Sequence, residues 1–198
     1  MKSWLSVLSL FAFVALSALS GAGGCGYNEV IERDEDVKAG WAEVQNQYKR
    51  RADLVPNLVN VVKGAANFEQ ETLTKVVEAR AQVGQVKVDA STIDDPGKLK
   101  QFEQAQGQLG SALSRLLVVA EKYPELKATD AYRDLQAQLE GTENRITVAR
   151  KRYIDSVAEY NKVVLRFPSS LGASMRGKKE RPTFEGDPGT ERPPEVKF

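Results

Sequence analysis

Between residues 34 and 168 the apolar residues recur in steps of three and four, and this spacing restricts the chain more than any other feature. The first series is Val37, Trp41, Val44, Tyr48, then a gap, then Val55, Leu58 and Val62. Such steps place every member on one face of a helix. Later segments repeat the pattern with Leu73, Val76, Val77 and Val83, then Leu99, Phe102, Leu109, Leu113, Leu116 and Ala120. The last and longest series runs Tyr132, Leu135, Leu139, Thr142, Ile146, Ala149, Tyr153, Val157, Tyr160 and Val164. No stretch alternates with period two for long enough to make a sheet. Four long amphipathic helices with short connections predict an all-α, antiparallel four-helix bundle over residues 34–168.

The ends of the helices carry their own signals. Asp34-Glu35-Asp36 puts three carboxylates where a helix N-terminus favours them, so the first helix is expected to begin near Asp34. Pro56 then either kinks that helix or forces a restart capped by Asp53. The second helix is expected after Asn67, with Gln70 three residues on. A turn-rich segment, residues 89–97, leads into a third helix from about Lys98 to Tyr123, which Pro124 stops. The fourth runs from about Asp130 to Arg166 and ends at Phe167-Pro168. Residues 169–198 hold several prolines and glycines and the basic run Arg176 to Arg181. They read as an extended, solvated tail, with a docking peptide or a contact with anionic lipid as the alternatives.

The N-terminus is of a different kind. Residues 1–24 comprise one charged residue, Lys2, a 16-residue apolar run from Trp4 to Leu19, and a small-residue stretch. That run is short for a permanent span, which takes about 20 residues, and fits a secretory signal. Small residues then lead to Cys25, the chain's only cysteine. This pattern marks a bacterial lipoprotein site, although Ala22 stands where such sites usually have Leu. Cys25 is the expected lipidation residue and residues 25–33 the linker. The acyl chains would hold the body to the membrane at ~0.8 kcal/mol per buried methylene. An uncleaved signal anchor is the alternative. Either way the body is placed in the bacterial envelope, on the extracytoplasmic side for a lipoprotein.

The chain has no histidine, so imidazole catalysis, His-ligated zinc and the Glu-x-x-His di-iron pattern of helical bundles are excluded. One cysteine allows neither an internal disulfide nor a thiolate cluster. A net charge of +1 gives no basic footprint for nucleic acid. These absences point to a protein that is not an enzyme and uses no cofactor or metal.

The interruptions in the apolar stripes fall on Arg51, Arg80, Gln106 and Thr142, the last beside Glu143. Arg51 and Arg80 each lie 13 residues from the expected first turn, about 20 Å along a helix, and Gln106 and Thr142 reach a similar level. One reading is a buried polar layer in which the two arginines pair with Glu143 or Glu140 and meet Gln106 and Thr142. Buried guanidiniums require such acids. The layer would set helix register or receive an anionic group. The other reading keeps both arginines at the stripe's edge with their heads in water. A second cluster, Arg50, Asp53 and Asn57, is a candidate partner surface, or else local helix geometry with Arg50 and Asp53 paired at i, i+3.

The chain resembles the LemA family. The resemblance is carried by Gly26-Tyr27-Asn28, Val37 to Trp41, Tyr48 to Val59, Val62 to Gly64, Val77 to Arg80, Leu139 to Ile146, Arg150, and Tyr160-Asn161 leading to Phe167-Pro168. It departs at Tyr153-Ile154, where many members have Tyr-Asn. The resemblance implies a membrane-attached helical bundle without an established enzymatic activity. It also suggests unidentified envelope proteins as partners, among them a membrane zinc metalloprotease or a TPM-domain protein. The functional expectation is a protein-interaction or scaffold module, with a lipid or small-molecule carrier as the alternative.

Overall fold

The computed structural model describes residues 2–65 and 68–184, with side chains described from residue 28 onward except at Ala90. Among the described residues all regular structure is helical: α1 (Lys2–Lys63), α2 (Gln70–Gln85), α3 (Pro96–Ala120), α4 (Pro124–Lys127), α5 (Asp130–Leu165) and α6 (Ser169–Met175). A 3₁₀ turn, Ala90–Ile93, precedes α3. The chain divides into two compact units. One is Met1–Gly40 with Asp155–Arg181, and the other is Trp41–Ile154 with Pro182–Phe198. Both α1 and α5 contribute to each.

In the larger unit the apolar stripes meet in one core. Val55, Leu58 and Val62 of α1 pack with Leu73 and Val76 of α2, Leu109, Leu113 and Leu116 of α3, and Tyr132, Leu135 and Leu139 of α5. Leu58, Leu109 and Leu116 are completely buried, and each contributes about 2 kcal/mol by leaving water. A second group is aromatic: Trp41 meets Phe102 edge-on at 5.0 Å between centroids, and Phe184 packs 5.1 Å from Tyr153. Local chemistry starts the helices. Asp95 accepts hydrogen bonds from the backbone N–H of Gly97 (2.8 Å) and Lys98 (3.2 Å), with Pro96 in the first turn of α3. Asp89 caps the 3₁₀ turn in the same way through Ser91 N–H at 2.8 Å. Asn67 lies outside the described residues, and α2 begins at Gln70.

Pro56 neither ends nor restarts α1, which runs through it. A proline lacks the N–H that would serve the carbonyl four residues earlier, here Ala52. That carbonyl accepts instead from Arg80 Nε of α2 at 3.1 Å. The side chain from a neighbouring helix thus supplies the donor that Pro56 removes.

In the smaller unit Asp34 does not sit at a helix start. It is buried inside α1 between Val30 and Val37, at 4% exposure. Arg181 Nη1 lies 2.8 Å from it, and Lys178 Nζ and Lys38 Nζ lie 3.0 Å away. Burial alone would raise the Asp34 carboxyl. Hydrogen bonds from Lys178 and Lys38 and the charge of Arg181 outweigh that and hold it below the ordinary value. The expected start of the first helix near Asp34 is therefore corrected: this carboxylate lies inside α1 and is matched by Lys38 one turn on and by Lys178, 144 positions away, with Arg181 beyond it.

The expected extended tail is corrected as well. Residues 169–175 form α6, which buries Ser169 and Ala173. Its end is closed by Gly177 at φ 65°, with Gly177 N–H on Ser174 O and Lys178 N–H on Ala173 O at 3.0 Å each. The following residues return onto α5. Asn161 donates to Arg181 O and accepts from Arg181 N–H, both at 2.9 Å, and Tyr160 donates to Lys179 O at 3.1 Å. The basic run is tied down because Lys178 and Arg181 meet the buried Asp34 and its backbone meets Tyr160 and Asn161. The remainder of the tail, residues 185–198, lies outside the described residues, as do the side chains of the apolar run and of Cys25. Among the described residues no helix is long and apolar enough to cross a membrane.

Two outcomes follow from these contacts. Arg80→Ala should lower stability by about 1 kcal/mol. That cost should vanish in a Pro56→Ala background, where residue 56 regains its N–H; urea unfolding of both single variants, the double and the parent measures it. Asp34→Asn should be less stable than the parent at neutral pH. A carboxyl held low in the folded state adds stability that is complete above its unfolded pKa, near 3.8, and is lost as pH falls through the folded value. The gap in melting temperature between the two proteins should therefore close below that pH.

Candidate functional site

The larger unit carries an open groove of about 860 Å³ between α3 and α5, floored by α1. Small residues of α3 form one wall: Gly107, Gly110, Ser111 and Ser114. Glu143, Thr147, Arg150 and Lys151 of α5 form the other, and Tyr48, Arg51 and Gln106 lie at its base. The helices cross this region in antiparallel order, with Tyr48 beside Arg150 and Arg51 beside Glu143.

Arg51 is the centre of the site. Only 3% of it is exposed, although it cannot shed its charge. Its Nη1 donates to Glu143 Oε1 at 3.0 Å, and its Nη2 donates to both the backbone and the side-chain oxygen of Gln106, each at 2.7 Å. The guanidinium also lies 5.0 Å from the centre of the Tyr48 ring. Nε is buried and has no hydrogen-bond partner among the described residues. A Cβ on Gly110 would stand 3.3 Å from Arg51 Nη1, so the glycine leaves the room that the arginine head occupies.

A second pairing stands beside it. Arg150 donates to Tyr48 Oη at 3.1 Å and to Glu103 Oε1 at 3.2 Å, and its guanidinium covers the Phe184 ring at 4.3 Å. The ionisable groups at the base of the groove are thus engaged with one another. What faces the opening is a set of small, hydroxyl and charged side chains suited to contact, chiefly Ser111, Ser114, Thr147 and Lys151.

Of the residues expected in the polar layer, the structure joins Arg51, Gln106 and Glu143. Thr142 is completely buried, but its hydroxyl donates to Gln138 O of its own helix at 2.7 Å. Glu140 accepts from Gln136 instead of an arginine. Arg80 is a correction: it is exposed, Ala79 takes the inward position, and the guanidinium serves the Ala52 carbonyl. Val77, placed in the same stripe, is half exposed. Arg50, Asp53 and Asn57 are all exposed on α1. Asp53 pairs with Lys49 at 3.0 Å, not with Arg50 as the i, i+3 spacing suggests. The Arg150–Tyr48–Glu103 group was missed. Its one signal was Tyr48 in an otherwise apolar stripe, since a buried phenol needs a partner.

Among the described residues all regular structure is helical, and interhelical ion pairs at Arg51 and Arg150 line a groove between the helices. The chain belongs to the LemA family, whose model matches residues 40–198. Among curated proteins it is similar to magnetosome protein MamQ 2 of Paramagnetospirillum magneticum, 26% identical over 205 residues, covering 96% of this chain and 73% of that one. Magnetosome protein MamQ of Magnetospirillum gryphiswaldense is 27% identical over the same share of both chains. Protein LemA of Metamycoplasma hominis is 25% identical over 140 residues, covering 71% of this chain and 60% of its own.

The two wall glycines should respond differently to a methyl group. Gly107→Ala meets nothing within 4 Å and should stabilise the helix by about 0.8 kcal/mol. Gly110→Ala forces the Arg51 head to move and should fall short of Gly107→Ala by about 1 kcal/mol. Thermal or urea denaturation of the two variants distinguishes them.

Proposed function

We propose that this chain is a non-catalytic, membrane-anchored protein of the bacterial envelope that binds other proteins, with its helices packed as an antiparallel four-helix bundle. The observation that carries this reading is the state of the groove. Arg51 and Arg150 are committed to Glu143, Gln106, Tyr48 and Glu103, so the base of the groove is a rigid platform. Its rim offers small and hydroxyl side chains to a partner. The similarity to proteins named for the magnetosome supports association with a larger cell structure. The anchor is the segment 1–24 with lipidation at Cys25, and an uncleaved N-terminal helix is the alternative. The exposed face with Arg50, Asp53 and Asn57 is a second contact surface. By family resemblance the partner is an envelope protein such as a membrane zinc metalloprotease or a TPM-domain protein. A carrier role fits less well, because the space between the helices is filled by Leu58, Leu109, Leu116 and Tyr132.

Two measurements test this. Intact mass of the membrane-fraction protein should show loss of residues 1–24 and an acylated Cys25, and Cys25→Ala should lose the modification. A full-length, unmodified mass would favour the uncleaved anchor. A photo-crosslinker at Ser114 or Thr147 should give a discrete adduct in membranes, absent when the probe sits at Gln104 outside the groove. Equal labelling from both sites would remove the groove as the contact surface.

A further inference from the structure

Helix α6 buries one face and leaves the other without a partner among the described residues. Ser169 and Ala173, one turn apart, are buried. Leu171 and Met175, also one turn apart, are 60% and 86% exposed, and Phe167, in the turn that precedes the helix, is 74% exposed. Leu165 adds a fourth exposed apolar side chain. Single exposed leucines are ordinary, but large apolar residues repeated at helical spacing mark an interaction surface.

The charges around this stripe indicate what covers it. From Leu165 to Glu180 the chain carries four cations, Arg166, Arg176, Lys178 and Lys179, and one acid, Glu180. Lys178 turns inward to Asp34. Arg166, Arg176 and Lys179 are exposed and stand within four residues of these apolar side chains in the sequence. Apolar side chains flanked by cations are the composition of a segment lying at a membrane interface, where anionic headgroups meet the cations. An acidic protein surface would complement the same cations, so the position of the stripe decides between the two occupants.

Position supports the same occupant. The unit that holds α6 also holds residues 1–40. Asp34 is fixed to Lys178, three residues beyond Met175. Cys25 stands nine residues before Asp34, which is about 14 Å along a helix. We infer that the Leu171–Met175 face of α6, with Phe167 in the turn before it, seats in the surface of an anionic phospholipid bilayer, beside the N-terminal anchor. This inference rests on the anchoring proposed above. With the anchor it gives the unit two separate membrane contacts, which fixes its orientation, not merely its distance.

The test uses the full chain purified from membranes with Cys25 in place and one azide-bearing residue, Leu171→p-azidophenylalanine or, as a control in the larger unit, Val118→p-azidophenylalanine. Each is labelled with an environment-sensitive NBD probe and reconstituted into phosphatidylcholine vesicles containing phosphatidylglycerol. Flotation reports anchoring, and iodide quenching reports contact of the probe with water. The expected result is that both proteins float, that quenching at position 171 falls several-fold relative to detergent, and that quenching at 118 is unchanged. Flotation with position 171 as accessible as 118 overturns the inference and leaves the anchor standing. Failure to float overturns the anchor and the inference together. Protection that disappears on diluting the protein in lipid assigns the stripe to a second copy, and equal protection in phosphatidylcholine alone removes the anionic requirement; either overturns the inference as stated.

Discussion

A guanidinium stays charged under every condition a protein meets, so burying one obliges the surrounding chain to provide oxygens. Arg51 imposes that requirement on the larger unit. Gln106 answers it from α3 with two oxygens, and Glu143 answers it from α5. The next residue, Ala52, carries the carbonyl that Pro56 leaves unserved, and α2 reaches it through Arg80. Two adjacent positions of α1 are therefore bonded to α2, α3 and α5. Apolar contact brings these helices together without choosing among nearby registers. The polar contacts do choose, because a shift by one residue would strand a buried charge.

The helices were legible in the sequence because burial imposes periodicity. Leu58, Leu109, Leu116 and Tyr153 stand where steps of three and four put them, and all are buried. The interruptions were legible for the same reason. A polar residue at a seam position, such as Arg51, Gln106 or Thr142, is buried by its neighbours whether or not it is apolar. Position 80 failed because the same spacing allows residue 79 or 80 to face inward, and the smaller alanine fits. A long side chain at the edge can still reach a carbonyl one helix away.

The errors at Asp34 and in the segment after Pro168 have one source. Three acids in a row resemble a helix start, and a basic, proline-containing run resembles a solvated end. Each reading is local, and each was overturned by the other: the acid is buried because the cations close on it, and the cations are ordered because the acid is there. Nothing within ten residues of either segment records the match. At the groove, the arginine at position 51 announced itself as a gap. Gly110 did not, since the absence of a side chain there acquires meaning only once the arginine head is in place.

The pairing of Asp34 with Lys178 also imposes an order in time. The two residues are 144 positions apart, and a growing chain exposes the first long before the second exists. Arg51 and Glu143 are separated by 92 positions, and Arg80 and Ala52 by only 28. Contacts that span more chain close later and more slowly. During synthesis Asp34 has Lys38, one turn on, within reach, but Lys178 and Arg181 arrive only when nearly the whole chain has been made. In that interval a charge stands between Val30 and Val37 on the face that is later buried, and the last-made segment of the smaller unit is the one that closes over it.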